Sequence, residues 1–198
     1  MFAKYVAKIT LLFIFTPILV IFFYGFADVF SLPPSVFKAA SLSIQIAILS
    51  SFLSVFLGLC LATNTGEIFG SLGIAISPIV MGAGTFLMLK NFGNPYLLAV
   101  PVTAMVNALV SLPFVIRILK PSAIEIRTEF ENLSRSIGLT GIYWVWWVFL
   151  WRLKRQIGFS LGVASALSMG DLGVIVLFGS GEIATLPLKI YQLMGSYR

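Results

Sequence analysis

Five apolar stretches recur along this chain, at about residues 9–30, 39–62, 68–89, 96–119 and 156–179. Each approaches the roughly 20 residues that a helix needs to cross a hydrocarbon core of ~30 Å. In lipid the backbone must satisfy its own hydrogen bonds, so stretches of this length with few charges are expected as helices. The expected fold is therefore all-α: one polytopic helical membrane domain over residues 1–198, with about five transmembrane helices and a polar connecting segment at about 120–155. With 59% hydrophobic and 10% charged residues and a mean hydropathy of +1.03, the chain cannot solvate a surface as a soluble domain does.

The formal charge of +6 does not point to nucleic acid, because the basic residues cluster beside apolar stretches and form no run within a soluble module. A single cysteine, Cys60, lies in an apolar run, and there is no histidine. These absences remove intrachain disulfides, His-based triads and His or Cys zinc sites. No Gly-x-x-x-x-Gly-Lys-Ser/Thr loop is present, and Gly179, Ser180 and Gly181 lack the lysine a phosphate cradle needs. No cofactor and no metal are expected. A membrane-embedded enzyme would need convergent ionisable groups at depth, and Asp171 is the one acidic candidate there.

Lys4 and Lys8 precede the first apolar stretch, which is too long for a secretory signal and reads as an uncleaved helix. In the second, Ser50, Ser54, Gly58 and Ala62 recur every four positions, so one side can approach a neighbour closely. Asn64, Thr65, Gly66 and Glu67 suggest a turn. Pro78, Gly82 and Gly84 predict a kink in the third stretch, which should then face other helices or a cavity. Pro101 and Pro113 fall inside the fourth. In the fifth, Gly158, Gly162, Ala166 and Gly170 predict tight packing inside the bundle, and Asp171 follows directly. Residues 180–198 are not a convincing span.

The polar segment is the functional hub. At helical period Ala123, Ile126, Phe130, Leu133 and Ile137 fall on one face, with Glu125, Arg127, Glu129, Glu131 and Arg135 elsewhere. Ser122 with Glu125 forms a potential capping box after Pro121, and Gly138 sits where a left-handed residue stops a helix. A second segment, after Thr140 and Gly141, carries Trp144, Trp146, Trp147 and Trp151, a pattern of interfacial anchoring. Placing the N-terminus in the cytoplasm leaves nine basic residues on that side, the hub among them, against four outside.

The hub resembles the cytoplasmic loop of ABC-importer permeases: a Glu-Ala-Ala motif, three residues, a glycine, and an Ile-x-Leu-Pro ending. Here the corresponding residues run from Glu131 and Asn132 through Leu133 to Ile137 and Gly138, and end at Leu150 and Trp151. Asn132 takes the usual glutamate position, with Glu131 one residue early, and Trp151 replaces the proline. Asn107 and Ala108, the run from Leu112 to Arg117, the run from Ala166 to Val174, and two C-terminal runs (Thr185 to Leu188, Tyr191 to Arg198) are similar to the C-terminal half of thiamine-importer permeases.

That resemblance implies a type I permease fold in the bacterial inner membrane. It further implies a cytoplasmic ATPase dimer, a periplasmic binding protein, and a second permease half or copy as partners, with no catalysis by this chain itself. The coupling residues would be Ile126, Phe130, Glu131, Asn132, Leu133, Ile137 and Gly138, and the cargo thiamine or its phosphates. Iron(III) or polyamine import is the alternative. Such halves close with a further helix, so a truncated, non-transporting fragment is also open. Because thiamine is cationic, Asp171 is a candidate for the substrate path.

Overall fold

The computed structural model describes residues 2–28, 32–62, 76–91, 94–139, 141–178 and 183–196, together with 66, 68, 70 and 73. Asn64, Thr65 and Glu67 of the expected turn, as well as Thr140, residues 179–182, Tyr197 and Arg198, lie outside them. All regular structure among the described residues is helical. The chain divides into two units, residues 1–38 and 39–198.

The first unit holds α1 (Phe2–Asp28) and the first turn of α2 (Pro34–Leu61). Its apolar part, Lys4–Gly25, has 22 residues and so a length of ~33 Å, enough to cross a bilayer. Pro17 sits within the helix, and the adjacent Thr16 hydroxyl donates to the Leu12 carbonyl at 2.7 Å.

The second unit holds the rest of α2, then α3 (Pro78–Lys90), α4 (Ala99–Ser136), α5 (Trp151–Met169), α6 (Ile175–Phe178) and α7 (Leu186–Ser196). Its frame is α2 against α4 and α4 against α5. Ser50, Ser54, Gly58 and Ala62 all point inward as their spacing predicts. The Ser111 hydroxyl on α4 donates to that of Ser54 at 2.9 Å, and a Cβ at Gly58 would lie 2.6 Å from Val115 Cγ1. Val55 and Ala62, Val115 to Ile126 at helical spacing, and Phe149, Leu153 and Ala164 form one apolar cluster; Ala99, Val106, Val174 and Phe178 form another.

Three expectations change. Pro78 does not kink a helix but starts one: Ser77 is extended (ψ 136°) and Pro78 takes the first turn of α3, where its missing N–H costs nothing. At 13 residues α3 is only ~20 Å long, too short to cross alone. The second change is in α4, which runs unbroken for 38 residues through Pro113 and Pro121, so the fourth apolar stretch and the hub helix are one element. Leu119 and Ala123, either side of Pro121, are fully buried, and this packing holds the helix where proline alone would break it. Ser122 is therefore no cap; its hydroxyl accepts from Gln156 Nε2 at 3.0 Å. Pro101 falls in the first turn and is harmless. At Pro113 the Leu109 carbonyl loses its helical donor, and Gly73 approaches it so closely that a Cβ there would sit 2.6 Å from the oxygen.

The third change concerns α5. A helical turn (Ile142–Trp144) and a π-helical stretch (Val145–Leu150) lead straight into it, and it stops at Met169, short of the expected 179. Gly158, Gly162, Ala166 and Gly170 face outward, while Leu153, Ser160, Ala164 and Ser168 face in. The inward row is flanked by Ile157 and Leu161, which supply apolar area to α4; the glycine row offers none.

Candidate functional site

Two places carry chemistry. One is the polar end of the hairpin made by α4 and the helical run into α5. Residue Gly138 has φ +75° and Gly141 φ +64°. The Gly138 N–H donates to the Arg135 carbonyl at 3.1 Å and the Leu139 N–H to that of Ser134 at 2.8 Å, the paired closure of a Schellman stop. Ala123, Ile126 and Ser134 are buried and Phe130 partly so, whereas Leu133 and Ile137 stand 60% and 73% exposed. The predicted face is thus split. Ile126, at 7% exposure, packs in the core and positions the helix, while Leu133 and Ile137 are presented outward.

Around this tip, cations lie on aromatic rings: Arg152 is 3.7 Å from the centroid of Phe130, Arg127 5.3 Å from that of Phe149, and Lys154 Nζ 4.1 Å from that of Trp151. Trp144 stacks on Phe149 with centroids 5.5 Å apart. Glu131 pairs with Arg135 one turn on, within a groove of about 480 Å³ that also touches Arg127, Leu139, Gly141 and Trp144. Asn132 is exposed. Trp146, Trp147 and Trp151 face outward, as interfacial anchors do.

The other place lies where α4, α5 and the start of α3 converge. Asn107 Nδ2 donates to the Ser168 hydroxyl at 2.9 Å and to its carbonyl at 3.4 Å. Asp171 follows the end of α5, and its Oδ1 accepts from the Gly173 N–H at 3.0 Å. Its Oδ2 is buried with no hydrogen-bond partner among the described residues. A cavity of about 370 Å³ opens here, walled by Pro78, Asn107, Val110, Leu167, Ser168 and Asp171.

No protein-family model matches the chain. The thiamine transport system permease protein ThiP of Brucella abortus is 34% identical over 174 residues, covering 82% of this chain and 32% of that protein. Its Escherichia coli counterpart is 32% identical over 180 residues, covering 83% of this chain and 33% of that protein. This chain is homologous to transport permeases. The sulfate transport system permease protein CysW of Synechococcus elongatus is 30% identical over 140 residues, covering 64% of this chain and 49% of that protein. The permease homologue spans about a third of the length of the curated thiamine permeases it matches.

Within this permease homologue, one helix joins the two places. Asn107 and Ser134 both lie on α4, 27 positions apart, or ~40 Å along its axis. Two features escaped the sequence reading. Ile142 and Tyr143 are exposed beside the turn, and Asn107 meets Ser168 across 61 residues. The first had a signal, two large apolar residues straight after a glycine turn; the second had none, since a pairing between distant polar residues leaves no local pattern.

Proposed function

We propose that this chain is a transmembrane permease subunit, or half, of an ATP-driven importer, with thiamine or its phosphates as cargo. The observation that carries this is the continuity of α4. A single helix of 38 residues bears the buried polar side chains Thr103, Asn107 and Ser111 within its apolar part and ends in a tip whose apolar side chains Leu133 and Ile137 are left uncovered. Such a rod transmits displacement from one end to the other, which is what coupling ATP-driven closure to helix tilting requires. In this reading the tip, with Phe130, Glu131, Asn132 and Gly138 shaping it, seats on a cytoplasmic ATPase dimer. Ile126 serves from inside by holding the helix on α5.

The N-terminus is cytoplasmic, since that orientation puts nine of thirteen basic residues, Arg127, Arg135 and Arg152 included, on the inner side. A periplasmic binding protein delivers cargo at the other face, and a second permease half or copy completes the pathway. Thiamine is favoured over sulfate because its cationic thiazolium, which its phosphates share, can lie against the acidic group at the cavity, Asp171, whereas sulfate offers only negative charge. The test is uptake of radiolabelled thiamine by vesicles from cells expressing the full importer, with and without this chain, together with recovery of an ATPase on the tagged chain. Uptake independent of the chain, or recovery without any ATPase, refutes the proposal.

A further inference from the structure

With α4 spanning the bilayer, the cavity beside Asp171 would lie near its middle. Asn107, in its wall, lies eight residues after the start of α4 and ten before Arg117, so ~12 Å and ~15 Å along the helix from the two ends of its apolar part. An ionisable group at such depth persists where it meets water, a partner or a ligand. Asp171 is only half accounted for: the Gly173 N–H holds Oδ1, and Oδ2 is buried without a hydrogen-bond partner among the described residues.

The wall has a definite electrical character. Among the described residues lining the cavity Asp171 is the one with an ionisable side chain. Asn107 spends its amide donor on Ser168, and α5 ends here, at Gly170, with its partial negative end. The N-terminus of α3 opposes this: Pro78 lines the cavity, and a Cβ on Gly173 would lie 3.6 Å from the Ile79 nitrogen. That end carries only about half a positive charge, which offsets part of a carboxylate and not all of it. Val110, Ala166 and Leu167 supply apolar surface, and about 370 Å³ falls within the ~300–1,000 Å³ usual for small-molecule sites.

We propose that this cavity is a cation-binding subsite of the transport path, taking a small organic cation whose charge lies against Asp171 Oδ2 and whose ring or chain lies on Val110, Ala166 and Leu167. It rests on the permease reading but not on the identity of the cargo. Asn107 and Ser168 are positioning residues that fix the end of α5, and with it the carboxylate.

The test uses the full chain in lipid nanodiscs. Binding of radiolabelled thiamine and of radiolabelled spermidine is measured to wild type, Asp171→Asn and Asp171→Glu, with neutral thiochrome as competitor and thermal unfolding as the fold control. Wild type is expected to bind an organic cation that thiochrome does not displace. Asp171→Asn should weaken that binding at least tenfold at unchanged melting temperature, and Asp171→Glu should restore most of it. Spermidine binding that is lost in Asp171→Asn, with no thiamine binding, supports the subsite and sinks the thiamine cargo. Equal thiamine binding by wild type and Asp171→Asn sinks the subsite and leaves the cargo standing. No binding of either cation to wild type overturns the subsite. Should Asp171→Asn fail to fold, carbodiimide labelling of wild-type Asp171, read by mass spectrometry, decides instead: protection by the cation supports the subsite, and undiminished labelling overturns it.

Discussion

Replacing Gly138 by valine isolates one physical effect. A Cβ at this position meets nothing within 4 Å, so packing around the first side-chain carbon contributes no clash. What remains is the backbone: φ is +75°, a region that costs an L-residue roughly 1–2 kcal/mol, with β-branched side chains at the upper end. If the chain relaxes to negative φ instead, it gives up the Gly138 to Arg135 and Leu139 to Ser134 bonds, each worth about 0.5–1.5 kcal/mol. The chain takes the cheaper route, so the stop weakens by ~1–2 kcal/mol, a factor of about 5–30 in the local opening equilibrium. Amide hydrogen exchange over residues 134–139 in nanodiscs should therefore accelerate by that factor. Exchange in α2 and in the first half of α4 should not change. Gly138→Asn, which tolerates the left-handed region, should stay near wild type. In the assembled importer Gly138→Val should insert normally, recover less ATPase and lose uptake. Unchanged exchange at these amides would refute the strain argument; faster exchange with wild-type uptake would show that the turn is only a connector.

Gly58→Ala should destabilise the α2–α4 contact by about 1–3 kcal/mol through overpacking on Val115, and Val115→Ala should relieve it; a double-mutant cycle of melting temperatures without coupling rejects this. Ile126→Ala should cost ~2–5 kcal/mol of stability as a core truncation, while Leu133→Glu with Ile137→Glu should leave melting within about 0.5 kcal/mol and abolish ATPase recovery. Equal effects of the two on melting would show that the inward and outward faces are misassigned. Reporters fused after Arg135 should read cytoplasmic and those at Pro33 and Pro34 periplasmic; the reverse pattern overturns the orientation.

Some of this was legible one residue at a time. Hydropathy over twenty residues fixes a helical membrane chain because lipid leaves the backbone no alternative, and α1, α2 and α4 follow that rule. Gly138 announced its turn because the left-handed region excludes side chains locally, whatever surrounds it. The Ser50 to Ala62 row was readable because its spacing put every small residue on one side of a helix whose other sides are bulky. Helix α5 offered two such rows, and the choice between them rested on which one brought Ile157 and Leu161 onto α4, a property of the pair. Pro121 likewise breaks a helix in isolation, yet buried neighbours on both sides carry α4 through it, turn Ile126 inward and free Ser122 for Gln156. The state of Asp171 was the least local of all. Its sequence neighbours foretell the bond from Gly173, but whether the second oxygen finds a partner depends on the void left where three helices fail to close, and only their packing determines that space.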